Sequence, residues 1–459
     1  MRGYSSRMVR PYRAAAFAAI ALATIPGLAL AAEPLFSEQW AMSDSVTGIA
    51  TAWQASQGNG VVVAIVDSGV NLGHADLAPN AWRNPGEVAG NGVDDDGNGY
   101  IDDVNGVDLT SPPNDNVPDD ENGHGTHVAG IVAAAANGVG VVGVAPGAKI
   151  MAVKAMDANG QGTLDGIAKG IQYAVRSGAK IINLSLVSPT TIPSLTAAVN
   201  EACAANVLVV ASAGNQGTNN DQVPMYPAAL PAPCVVSVAA TSPSSGRSLA
   251  SFSNFGRLGV AIAAPGEGII STAKNGAYEH RNGTSQAAPQ VAGVAALMRQ
   301  LAPSITAADL RAKIIGAAVP GPIAVTSGYL NALTAVRAVG GVANPGLGQS
   351  PEVRVVGAWA AKVKGKWVDT TQLSITGTAS AVSRVSITAK GVVIATKATK
   401  GETTLTVSGT TPVKPTKVLI TISGRTGAIG TAVARVARAS GDKSSGGPVI
   451  SLPADTVRP

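Results

Sequence analysis

The run Val61-Val62-Val63-Ala64-Ile65-Val66, closed by Asp67-Ser68-Gly69, constrains this chain more than any other stretch. An unbroken apolar, mostly β-branched run gives a strand no face to turn to water. Such a strand must be central in a sheet that is covered on both sides. Parallel sheets meet that condition, and their ligands collect beyond the carboxyl ends of the strands, at a topological switch point. Asp67 stands at such an end and is the first candidate functional residue.

The pattern then alternates. A small-residue helix is expected over 124–136, a strand over 149–156, a helix over 164–177, a strand over 180–186, a helix over 193–205, and strands over 207–211 and 235–240. Strands interleaved with helices of this length indicate an α/β fold with a doubly wound parallel sheet. The full 459 residues exceed one ordinary core. After about residue 340 the texture changes. Residues 343–351 read as a Pro/Gly linker. Residues 352–440 are rich in Val, Thr and Ser with short alternating runs, as in a C-terminal all-β, sandwich-like domain. Residues 441–459 are polar and expected to be a disordered tail.

Residues 1–13 carry Arg2, Arg7, Arg10 and Arg13 without an acid, and residues 14–32 are an apolar run ending Leu28-Ala29-Leu30-Ala31-Ala32. This is the layout of a signal peptide, residues 1–32, cut near Ala31 or Ala32. It implies a secreted, extracellular protein, with the periplasm as a second destination. A membrane anchor is the alternative, against which Pro26, Gly27 and the Ala-x-Ala ending argue. No second apolar run of about 18 residues follows, so no membrane span is expected. Cys203 and Cys234 form an even pair, which in an exported chain suggests one disulfide rather than two unrelated thiols.

Ser285 lies in Asn282-Gly283-Thr284-Ser285-Gln286-Ala287-Ala288-Pro289, ahead of small and apolar residues. That pattern puts a serine at the N-terminus of a buried helix, where free N–H groups and the helix dipole stabilise negative charge. Serine is also a common helix cap, so alone the stretch decides nothing. His124, between Gly123 and Gly125, opens the small-residue helix, and flanking glycines let other groups approach its imidazole. With His127 it has the i, i+3 spacing of metal ligands, but no HExxH pattern accompanies it. Asp67, His124 and Ser285 together supply the carboxylate, base and nucleophile of serine acyl transfer. Their order excludes chymotrypsin-like chains. It also excludes α/β-hydrolases, whose Gly-x-Ser-x-Gly is broken here by Ala287.

The chain resembles the subtilisin-like serine peptidases, the subtilases. The matching pieces are Ile65-Val66-Asp67-Ser68-Gly69-Val70, His74-Ala75-Asp76-Leu77, Gly123-His124-Gly125-Thr126-His127-Val128-Ala129-Gly130, Gly143-Val144-Ala145-Pro146 and Gly283-Thr284-Ser285, within residues 39–340. The resemblance implies a subtilisin-like catalytic domain over 33–342 that acts as a serine endopeptidase on polypeptides. Asp67 would orient, His124 act as base and Ser285 attack. Asn215, in Ala211-Ser212-Ala213-Gly214-Asn215, would be the oxyanion-hole donor beside the Ser285 backbone N–H. Ser185, Leu186, Val187, Ala213 and Gly214 would bind substrate, the strand through Asn183-Leu184-Ser185 pairing with its backbone. Tyr226-Pro227 would carry a cis peptide.

The chain departs from the family in three places. Leu186-Val187-Ser188-Pro189 replaces small glycines and would narrow the cleft or move its strand. Gln286 replaces a common Met, making this edge less sensitive to oxidants. Only 28 residues separate Ala32 from the first core strand, where most relatives carry a long inhibitory propeptide. A subtilase fold kept as a catalytically silent binding protein is the competing function. A sedolisin-type acid peptidase would use other residues for base and oxyanion.

Charge is split along the chain. Residues 84–123 hold eleven Asp/Glu and no Lys/Arg, whereas 352–440 hold thirteen Lys/Arg against three acids. In the acidic stretch, Asp94, Asp96, Asn98, Tyr100 (through its carbonyl) and Asp102 fit positions of a calcium loop, although Asn105 stands where a bidentate Glu is usual. A structural calcium is expected, a solvated acidic loop being the alternative. The basic β domain suits an anionic cell-surface polymer, or merely a solvated lysine face at Lys362, Lys364 and Lys366. No nucleic-acid motif accompanies that charge.

Overall fold

The structure, a computed structural model, describes residues 33–110, 116–243 and 248–340 with their side chains, and between 352 and 451 the strands alone. The signal peptide, the linker 343–351 and the lysine face of the basic domain therefore lie outside the described side chains.

Seven parallel strands form the central sheet: β1 (Val62–Asp67), β2 (Gly106–Asp108), β3 (Lys149–Lys154), β4 (Ile181–Leu184), β5 (Leu208–Ser212), β6 (Val235–Thr241) and β7 (Ile262–Pro265), in the order β2-β3-β1-β4-β5-β6-β7. β1 pairs with β3 on one side, Asp67 beside Lys154, and with β4 on the other. The winding reverses there, so Asp67 ends the strand at the switch point. The β-branched run is buried from Val63 onward, as its composition requires.

The helices are α1 (Ile49–Ala52), α2 (His124–Ala133), α3 (Leu164–Arg176), α4 (Pro193–Ala204), α5 (Thr284–Leu301), α6 (Ala307–Gly316) and α7 (Ala332–Arg337). α3 and α2 cover opposite faces. Gly170 of α3 rests on Val66 and Val153, whereas Gly125 of α2 rests on Asp67, the next residue along β1. α3 is amphipathic: Ile167, Ile171 and Ala174 face inward, and the Thr163 hydroxyl caps the helix by accepting the Gly166 N–H at 3.0 Å. α5 is buried all round from Gln286 to Arg299 and forms the middle of the core beneath β4 to β7. α2 stops at Ala133, short of the expected 136, because Ala134 turns extended ahead of the Asn137-Gly138 turn. A hairpin of β8 (Ile269–Thr272) and β9 (Tyr278–Arg281) closes over α2. Among the described residues no helix is long and apolar enough to cross a membrane.

Beyond the linker the strands are β10 (Glu352–Val363), β11 (Lys366–Thr376), β12 (Val382–Ala389), β13 (Val392–Ala398), β14 (Thr404–Thr411), β15 (Lys417–Gly424), β16 (Gly427–Arg435), β17 (Ala437–Arg438) and β18 (Val449–Ser451). They form a five-stranded sheet, β14-β11-β10-β17 with β18 on β10, and a four-stranded sheet, β13-β12-β15-β16. β18 falls in the stretch read from composition as an unstructured tail; its Val449-Ile450 pair is β-branched and aligns against Arg354 and Val353.

Cys203 of α4 and Cys234, just before β6, form a disulfide across a separation of 31 residues. Opening that loop in a Cys203→Ala/Cys234→Ala variant is expected to cost about 2–4 kcal/mol, read as a lower urea midpoint. An unchanged midpoint would show that the loop is held by packing alone.

Candidate active site

Asp67 is fully buried. Its Oδ1 accepts the Ser68 backbone N–H at 2.8 Å and the His124 Nδ1–H at 2.7 Å, while Oδ2 is buried without a hydrogen-bond partner. α2 can approach this closely only because residue 125 is glycine, since a Cβ there would lie 2.1 Å from the Gly69 carbonyl oxygen.

The start of α2 is held by Asp120. Its carboxylate accepts the backbone N–H groups of Gly123 (2.6 Å) and Thr126 (2.8 Å) and the Thr126 hydroxyl (2.6 Å). That is a charged cap on the positive helix end. Ser68 links the two carboxylates: its hydroxyl donates to Asp120 at 2.8 Å and accepts the Gly125 N–H at 3.0 Å. Sequence reasoning passed over Asp120 and Ser68. The available signal was an acid just before the glycine that opens the helix.

The His124 side chain is 22% exposed. Burial opposes its protonation, but the Asp67 charge and hydrogen bond outweigh burial and hold its pKa above the ordinary 6.5. His127 has the opposite fate. Burial brings it down to about 3, and its Nε2–H points at the carbonyls of Ile269 and Glu279, both at 3.1 Å. The two imidazoles are thus committed to different partners, against the reading of them as joint metal ligands.

Ser285 is the second residue of α5, and Gly283 occupies the N-cap. The serine hydroxyl does not cap. It donates to the Ser185 carbonyl at 3.0 Å, while the Ser185 hydroxyl donates to the Ser285 carbonyl at 2.8 Å. Pro289 makes this exchange possible. Lacking an N–H, it leaves the carbonyl four residues earlier, that of Ser285, free for Ser185.

Asn215 faces the same helix end. Its Oδ1 accepts the Thr284 N–H at 2.8 Å and the Thr284 hydroxyl at 2.9 Å, which fixes the amide and leaves Nδ2 forward. A Cβ on Gly283 would lie 3.4 Å from Asn215 Nδ2 and 3.5 Å from the Ser285 backbone nitrogen. Two N–H donors therefore border one small space at a helix N-terminus, an arrangement suited to an anion.

Around them, the Leu186 carbonyl accepts the Ser212 hydroxyl at 3.2 Å, and Gly214 N–H donates to the Thr284 hydroxyl at 3.1 Å. Ser188 and Tyr226 form a two-bond bridge at 2.8 Å, ahead of a cis Tyr226-Pro227 peptide. Leu186 and Ala213 are buried, and Val187 is half-buried. β4 ends at Leu184, before the expected 186, as the chain turns to make these contacts.

In the acidic loop, two of the residues read from sequence as calcium ligands accept local backbone donors. Asp94 accepts the N–H groups of Asn98 (3.1 Å) and Gly99 (2.9 Å), and Asp102 accepts those of Gly90, Asn91 and Gly92 at 2.7–3.2 Å. Tyr100 packs edge-on against Tyr173, ring centres 5.3 Å apart. Acids in Gly/Asn-rich turns are drawn to local backbone donors. The carboxylates that do converge are Glu87, Asp96 and Asp103, with oxygens within 4.8 Å of one another. Of these only Asp96 was read from sequence. Burial raises the Asp103 pKa, opposed by hydrogen bonds from Tyr173, Asn98 and Asn84.

A family model of the Subtilase family matches residues 58–345. Thermitase of Thermoactinomyces vulgaris is 40% identical over 264 residues, 57% of this chain and 82% of that protein. An intracellular serine protease of Paenibacillus polymyxa is 37% identical over 275 residues, 58% of this chain and 77% of that protein. Among solved structures, a protease of Pseudoalteromonas arctica is similar at a TM-score of 0.57 and 30% identity, covering 67% of this chain and 98% of that one.

The His124 environment predicts its titration. In a Ser285→Ala background its NMR pKa is expected above 6.5, and Asp67→Asn, which removes the two largest raising influences and leaves burial and Arg281 opposed only by the weaker pull of Asp120, is expected to bring it below 6.5. A reaction that needs neutral His124 then loses rate as pH falls through a value above 6.5. A midpoint unmoved by Asp67→Asn would contradict this account.

Proposed function

The chain belongs to the Subtilase family and is a serine-type endopeptidase whose substrates are polypeptides, and from this premise we propose that Ser285 is its nucleophile. His124 is the general base, Asp67 the carboxylate that orients it, and Asn215 with the Ser285 N–H the oxyanion donor pair. The observation that carries the reading is the 2.7 Å contact between His124 Nδ1 and Asp67 Oδ1. It consumes Nδ1 as a donor and makes Nε2 the basic nitrogen.

The Ser285 hydroxyl swings from the Ser185 carbonyl to His124 Nε2, gives up its proton and attacks the scissile carbonyl. Asp67 stabilises the imidazolium so formed. The carbonyl oxygen, now negative, receives the Asn215 Nδ2–H and Ser285 N–H. Collapse of this intermediate passes the proton to the leaving amine and leaves an acyl-enzyme, which water hydrolyses by the reverse path. Ser185, Leu186 and Val187 along one wall and Ala213 and Gly214 along the other would bind the substrate backbone.

Export follows from the expected signal peptide, and the Cys203–Cys234 disulfide supports an oxidising destination. The two mainly antiparallel sheets beyond residue 352 are read as a sandwich. Calcium is proposed as a structural ion. The all-oxygen set of Glu87, Asp96 and Asp103 suits a hard cation, and positive charge there would offset the burial of Asp103 and its repulsion by Asp96. The ion would brace the loop and take no part in the chemistry.

A fluorophosphonate probe is expected to form one adduct, on Ser285, with none in Ser285→Ala and labelling about 10²–10⁴-fold slower in His124→Ala. Folded protein that takes no adduct would point to the silent binding protein instead. For the ion, calcium added to metal-free protein is expected to raise Tm, by the equivalent of about 2.7 kcal/mol at a hundredfold excess over Kd. Asp96→Ala should lose that gain, and a calcium-independent Tm in the parent protein would rule the site out.

A further inference from the structure

The fully buried side chain of Asn254 sits inside the loop that presents Asn215. Its Oδ1 accepts the backbone N–H groups of Gln216 (2.9 Å) and Thr218 (3.1 Å). Its Nδ2 donates to the Ala213 carbonyl (3.1 Å), Gln216 Oε1 (3.1 Å) and Asn220 Oδ1 (3.0 Å), while its backbone N–H bonds the Gly214 carbonyl at 2.9 Å. The residues on either side of Asn215 are thus bonded to one residue, Gly214 to its backbone N–H and Gln216 to its side-chain amide.

A relay reaches Asn215 itself. Gln216 Oε1, held by Asn254 Nδ2, accepts the Asn215 backbone N–H at 3.1 Å. Gly214, with φ +110°, lets the two chains approach, since a Cβ there would stand 2.5 Å from Asn254 Nδ2. Thr284 fixes the Asn215 side chain from the opposite side. The donor is clamped at both ends, its amide by Thr284 and its backbone by Asn254.

We propose that Asn254 is a positioning residue for the oxyanion donor, a role that rests on the reading of Asn215 given above. The chemistry of the side chain is specific. An amide of this length offers an acceptor oxygen and two donor hydrogens at once; aspartate keeps only acceptors and leucine neither. Misplacing a catalytic group by about 1 Å costs on the order of 10²-fold in rate, so a loop that relaxes around residue 254 loses turnover before it loses substrate affinity.

The test is a double-mutant cycle on the full chain with a peptide anilide substrate. Asn254→Ala is expected to lower kcat by about ten- to a hundredfold with KM little changed. The His124-dependent pH midpoint should stay in place, because nothing around His124 is touched. In an Asn215→Ala background the same change should lower kcat no further. Asn254→Asp, which keeps the bonds to Gln216 and Thr218, should fall between. It carries the cycle, under the same criteria, if circular dichroism finds Asn254→Ala unfolded. Equal losses in both backgrounds would overturn the positioning role. If Asn215→Ala alone leaves kcat intact, the oxyanion reading fails, and the proposal fails with it.

Discussion

A buried carboxylate is the constraint on which the rest of this catalytic domain depends. Asp67 ends a strand that has no exposed face and is itself fully buried. A carboxylate so placed is tolerable only with hydrogen-bond partners, because desolvation costs far more than one contact returns. The partners are its own neighbour's N–H and an imidazole delivered from another element. That requirement dictates where α2 must start, why residue 125 must be glycine, and why Asp120 and Ser68 are spent on fixing the first turn. The pairing of Asp67 with His124 is one outcome of satisfying a strand-end charge.

The second half of the site is organised by a missing hydrogen bond. An interior helical proline costs about 3 kcal/mol relative to alanine, yet Pro289 lies within α5, five residues from its start. Its effect is to free the Ser285 carbonyl, which receives the Ser185 hydroxyl while Ser285 donates back to the Ser185 carbonyl. This reciprocal pair ties the end of β4 to the start of α5. Ser285 and the wall expected to bind substrate are therefore tied into one unit, and the local defect in the helix is what joins them.

Asp67, His124 and Ser285 could be singled out in the sequence because each stands at an element boundary that punctuation marks, a β-branched run ending in Asp-Ser-Gly or a Gly-flanked helix start, whereas Asn215 was singled out only through the family resemblance. The alternation of buried strands and small-residue helices was legible for the same reason, since period and burial are local properties. β7, with its Ile-Ala-Ala-Pro, and the polar hairpin strand β9 carry weak strand signals and exist through their neighbours. The bonds of Ser68 to Asp120 and Ser185 to Ser285 join residues 52 and 100 apart, and nothing in either sequence neighbourhood specifies the other. In the acidic loop the motif pointed to a cluster of carboxylates. Asp94 and Asp102 are drawn to backbone donors of the glycine turns, while Asp96 lies with Glu87 and Asp103.

The stretch between the expected leader and β1 belongs to this same construction. Leu35 bonds the Gly140 carbonyl, Gln39 exchanges two hydrogen bonds with Val142, and the Ser56 hydroxyl reaches the Leu297 carbonyl of α5. The Trp40 indole N–H donates to the Glu267 carbonyl at 3.1 Å. On the far side of that turn, the Gly283 N–H bonds the Gly266 carbonyl at 2.8 Å, and the Asn282 side chain takes the Gly268 N–H at 2.6 Å. The N-terminal segment thus braces a turn that braces the N-cap of α5, two residues before Ser285. Its side chains are committed to the core and to the support of the start of α5, which leaves this stretch built beneath the site.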